Sequence, residues 1–75
     1  MNPEAINSAF YEGRRSHELP FVVQDKVRVL AGPYAGRTGS VEVVDWSQTE
    51  LRFLVEFGDG TDELLPAAAL GLIAG

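Results

Sequence analysis

From Phe21 onward the chain reads as short runs that alternate apolar and polar residues. Val27 and Val29 alternate with Lys26, Arg28 and Leu30. Val41 and Val43 alternate with Ser40 and Glu42, and Val44 breaks the alternation near the end of that run. Leu51, Phe53, Val55 and Phe57 alternate with Arg52, Leu54 and Glu56, which is the clearest period-two segment of the chain. Such alternation places one face of a strand in a core and the other toward water. Gly58-Asp59-Gly60 follows directly, and Asp-Gly is a strong hairpin signal. The returning strand is expected over residues 61–65, ended by Pro66. Residues 66–70 fit one helical or 3₁₀ turn, and Leu72-Ile73 fit a last short strand. The prediction is an all-β, five-stranded antiparallel barrel over residues 21–75, because a flat sheet this small leaves a face and both edges unprotected. Its core is expected to hold Val27, Val29, Val41, Phe53, Val55 and Phe57.

The pattern before residue 20 is different. Asn2 and Pro3 look like a helix start, with Asn2 as the cap and Pro3 at the first helical position. Ala5, Ile6, Ala9 and Phe10 fall on one stripe, and Gly13 can stop the helix. About three turns are marginal in isolation. The segment is either a mobile tail or a short helix docked by Ile6, Phe10 and Tyr11. The expectation is a flexible tail over residues 1–20 without stable tertiary contacts.

A chain of 75 residues is one domain at most, with a small core. It has no Cys, which removes disulfides and thiolate metal sites. The net charge is −5, from 11 acidic and 6 basic residues. Binding by general phosphate neutralisation usually needs the opposite sign, so nucleic acid is disfavoured, as is an anionic membrane surface. No apolar run approaches a membrane span, and no signal-peptide pattern opens the chain. The expected setting is the cytoplasm and the expected state a monomer.

Residues 25–45 read D-K-V-R-V-L-A-G-P-Y-A-G-R-T-G-S-V-E-V-V-D. This stretch resembles the KOW motif. In that family an acidic or glycine residue precedes a valine-alternating strand, a glycine-rich loop follows, and a second strand opens on a hydrophobic residue. The matching glycines are Gly32, Gly36 and Gly39, and the strand positions are Val27, Val29, Val41 and Val44. The later residues 55–70 resemble the remaining strands and closing turn of such barrels. The resemblance implies an SH3-like barrel that binds RNA or protein, as in ribosomal proteins and NusG-type transcription factors, and not catalysis. Nucleic-acid-binding members are commonly basic, whereas residues 21–75 hold eight acids and four bases.

The candidate chemistry is sparse. His17 is the single histidine, and no second imidazole or thiol completes a zinc site. No serine sits in a nucleophile context, and the glycine loop lacks the Lys-Ser/Thr of a phosphate loop. No catalytic residue, cofactor or metal is therefore expected. Asp59, Asp62 and Glu63 read as turn chemistry and a solvated acidic rim. The Arg14-Arg15 pair reads as a solvated tail. Tyr34, Arg37 and Trp46 are the candidate anchors of a partner surface, with Gly32, Gly36 and Gly39 shaping the loop that presents them. Trp46 either closes one barrel end or lies exposed for binding. The glycine loop either only connects two strands or also carries binding. The function expected is a small acidic interaction module whose partner is a protein, a basic one by charge. The alternative is a KOW domain associated with nucleic acid, a ribosome or a transcription complex.

Overall fold

The computed structural model describes residues 3–47 and 49–73. One helix, α1 (Pro3–Tyr11), precedes five strands: β1 (Lys26–Val29), β2 (Thr38–Asp45), β3 (Arg52–Glu56), β4 (Asp62–Pro66) and β5 (Leu70–Leu72). The strands form one antiparallel sheet in the order β4-β3-β2-β1-β5. This is the expected all-β, barrel-like domain, although β4 and β5 remain its two edges and the sheet is not closed. A 3₁₀ turn at Ala67–Ala69 carries the chain from one edge to the other, where it was expected.

The inward residues follow from the register. Val27 and Val29 of β1, Val41 and Val44 of β2, Phe53 and Val55 of β3 and Leu70 of β5 are all buried. Two positions depart from the simple alternation. β2 slips relative to β3 between Val41 and Val43, so Glu42 and Val43 together face Leu54. This bulge reverses the phase of the strand. Val44 turns into the core, while Val43 is 40% exposed. The second departure is Phe57, expected in the core and only partly buried. It lies just beyond β3, where the sheet ends, and packs both against the edge of the core and against the glycine loop.

The contact-free tail expected over residues 1–20 is corrected. Ile6, Ala9 and Phe10 of α1 are buried in the same core as the strands, as are Leu19, Phe21 and Val22. The Phe10 ring is fully buried, 6.5 Å from Phe53, and Phe21 meets Phe53 edge-on at 5.4 Å. The Val23 amide donates to the Phe10 carbonyl at 3.2 Å. A sheet of this size cannot cover both ends of its own core, so the spaced apolar stripe of α1 closes one. Gly13, at φ 74°, ends the helix as expected. The Arg14 amide donates to the Ala9 carbonyl at 2.8 Å and the Gly13 amide to the Phe10 carbonyl at 3.3 Å, the two hydrogen bonds of a Schellman cap. The expected cap at Asn2 lies outside the described residues.

Candidate interaction surface

The glycine loop spans residues 30–37 between β1 and β2. Gly32 and Gly36 adopt φ of 86° and 90°, a region that side chains with a Cβ rarely occupy. These turns fold the loop back over the strand end. The Ala35 amide donates to Gly32, Arg37 to Tyr34 and Gly36 to Val29, at 3.1, 3.0 and 2.8 Å. Gly39 has a different task. It lies within β2 opposite Val27, and a Cβ there would sit 2.5 Å from the Glu56 carbonyl oxygen and 2.8 Å from a Val55 methyl. It permits close passage of β2 over β3 and offers no side chain to a partner.

The folded loop ties itself to the β3–β4 hairpin. Tyr34 stacks on Phe57 with ring centroids 5.6 Å apart and planes 17° from parallel. The Arg37 guanidinium lies 4.3 Å from the Phe57 centroid and pairs with Asp59 at 2.7 Å. Asp59 also accepts from the Thr61 amide at 3.0 Å and from the Thr61 hydroxyl. These Thr61 bonds, helped by Arg37, hold the exposed carboxyl down to about 2. The Glu63 carboxylate, through a hydrogen bond first and its charge second, raises the Tyr34 phenol above its ordinary value. Tyr34 is thus a structural element of the rim as well as a candidate contact. Phe57, expected in the core, packs against it from the edge and also builds this surface, a role its spacing did not show.

Trp46 is not part of that rim. It follows β2 at the end opposite Arg37, a strand path of about 25 Å at 3.3 Å per residue. There it is 43% exposed, beside Tyr11 at 55% and Val43 at 40%. With Asn7, Asp45 and Ser47 these residues line a shallow depression between α1 and the end of β2. The three candidate anchors therefore divide between two ends of the domain. The second end was hidden in the sequence, because it exists only once α1 docks and the bulge turns Val43 outward.

Charge is spread in small pairs. Arg14 meets Glu12 at 3.0 Å and Arg15 meets Asp25 at 2.6 Å. Asp25 also accepts from the Val22 amide at 2.9 Å, closing the turn that leads into β1. The Lys26 ammonium donates to the Ser40 hydroxyl at 2.6 Å. Arg28 is exposed on the same strand, and Arg52 lies opposite Asp45 across the β2–β3 ladder. Lys26 and Arg28 share the exposed face of β1, and Arg37, whose carbonyl accepts from the Val29 amide at 2.8 Å, adjoins them, while Arg52 is set apart on β3 beyond β2. His17 is exposed, and no cluster of metal-ligating side chains occurs among the described residues. No helix among the described residues is long and apolar enough to cross a membrane.

The domain is thus a small antiparallel β sheet with a glycine loop clamped over a strand end. Residues 23–45 match the family model of the KOW motif. The chain carries that motif, and the match spans the turn at Asp25, β1, the glycine loop and all of β2. A KOW motif points to an interaction domain of the kind associated with ribosomal and transcription assemblies. No curated protein and no solved structure matches the chain.

Proposed function

We propose that this chain is a non-enzymatic KOW-type interaction module that binds a basic partner protein through the glycine loop and the adjoining hairpin turn. The observation that carries this reading is the rim itself. Tyr34, Phe57, Arg37 and Asp59 are held together before any partner arrives, so little conformational entropy is lost on binding. Tyr34 and Arg37 are half-buried and still present an edge to solvent. Arg37 and Asp59 offset one another, so Glu63 beside Tyr34, with Asp62 and Glu56 paired across the adjoining hairpin, leaves the rim a negative balance that favours a basic partner and disfavours phosphate. The function needs no catalytic residue, cofactor or metal, and its proposed setting is a cytoplasmic ribosomal or transcription assembly.

The test is amide chemical-shift mapping with a partner recovered by pull-down after nuclease treatment. Shifts should concentrate on residues 30–37 and 57–61, and Arg37→Ala should weaken binding. Short RNA that shifts Lys26 and Arg28 at physiological salt, with no nuclease-resistant partner, would replace this reading with the nucleic-acid one.

A further inference from the structure

The exposed patch at the other end of β2 has its own chemistry. Tyr11 reaches it from α1, Val43 from the bulge, and Trp46 from the end of the strand. Three large apolar side chains left open together on so small a domain are a costly arrangement for a surface with no partner. The register extends the patch across the sheet. Val43 faces Leu54, and Leu54 faces Leu64, so an apolar lane crosses the outer face from β2 to β4. The charges placed around the patch are three acids, Glu4, Glu12 and Asp45, against two cations, Arg14 and Arg52, a balance of one negative charge. Asp45 borders Trp46, and Glu4 lies with Asn7 and Tyr11 along the exposed side of α1. Glu12 is offset by Arg14. Arg52, opposite Asp45, is the cation nearest the lane. The Ser47 amide and hydroxyl both donate to Oδ1 of Asp45, and the Arg52 charge acts on the same carboxylate.

We propose that the Tyr11–Val43–Trp46 patch is a docking site for a partner-protein segment that alternates arginine or lysine with aliphatic residues. A cation over the Trp46 and Tyr11 rings gains from their negative faces. The stem of that side chain, and its aliphatic neighbours, cover Val43 and the lane through Leu54. Asp45 and Glu4 bind the head groups, and Arg52 sets the limit of the basic stretch. The glycine-loop rim takes no part, so this surface and the rim can be occupied together.

The chain has one tryptophan, so its fluorescence reports on this patch alone. The probes are a blocked peptide of alternating Arg and Leu and the same peptide with Gln in place of Arg, both at physiological salt. The Arg peptide should change Trp46 emission saturably, and the Gln peptide should bind at least tenfold more weakly. By calorimetry, Trp46→Ala and Tyr11→Ser should each weaken the Arg peptide by about fivefold or more, the size of a typical interface anchor. Both residues are exposed, so both variants should keep the wild-type far-ultraviolet circular dichroism. Asp45→Asn should weaken binding, whereas Asp59→Asn, which removes the same charge at the other end, should not. Equal binding of the two peptides would overturn the proposal. So would equal losses in Asp45→Asn and Asp59→Asn, which mean diffuse attraction to an acidic protein. A change in Trp46 emission on raising protein concentration alone, with no peptide effect, would assign the patch to a second copy of the chain.

Discussion

Phe10→Ala is the sharpest test of how this domain is held together. Phe10 is fully buried, with its ring 5.0 Å from Tyr11 and 6.5 Å from Phe53. Removing such a side chain forfeits its transfer free energy and leaves a cavity, a loss of about 3–5 kcal/mol. A domain of this length has a total stability of roughly 4–11 kcal/mol at the usual yield per residue. Its unfolding entropy is about 160 cal/mol/K near 60 °C, so the loss corresponds to a fall in Tm of about 20–30 °C. The assay is thermal unfolding followed by near-ultraviolet circular dichroism, with urea unfolding to give the free energy directly. Tyr11→Ala is the control, because Tyr11 lies on the same helix and is exposed. It should cost under about 1 kcal/mol. A Phe10→Ala protein whose Tm falls by less than about 5 °C would show α1 to be a dispensable appendage to the sheet.

Two further outcomes follow from the strands and the rim. Gly39→Ala should destabilise the domain by about 1–3 kcal/mol in urea unfolding, because the added methyl meets the Glu56 backbone and Val55; wild-type stability would show that β2 can move away from β3. Asp59 is held at about 2, below its ordinary 3.8, so the folded state favours its charged form. Its contribution is present in full above about pH 4 and is lost as pH falls through about 2. The Tm of wild type should therefore drop more steeply than that of Asp59→Asn between those values, and parallel curves would show that the turn does not depend on the charge.

Much of the sheet was legible because side chains alternate across a strand, and alternation shows in neighbouring residues. Val27, Val29, Val41, Phe53 and Val55 are buried as their spacing requires. The turn at residues 58–60 and the 3₁₀ turn after Pro66 could be read for the same local reason. The KOW resemblance added Val44 as a strand position, where bare alternation pointed to Val43. The bulge explains why the resemblance had it right, since an extra residue in one strand is defined only against its partner. Tyr34 and Arg37 were picked out as unusual loop residues, but their attachment to Phe57 and Asp59 could not be seen. Asp59 lies 22 residues from Arg37 in the chain, and nothing local records such a pairing.

Local sequence was enough to establish the β class, the position of the strands and turns, and the glycine loop between β1 and β2. Each of these depends on backbone preferences and side-chain phase within a few residues. The tertiary structure alone decided that α1 closes the core, that Arg15 is spent on Asp25, and that Trp46 stands apart from Tyr34 and Arg37. A nine-residue helix has no stability of its own to announce it, and its stripe of Ile6, Ala9 and Phe10 gains meaning only from the open end of the sheet it covers.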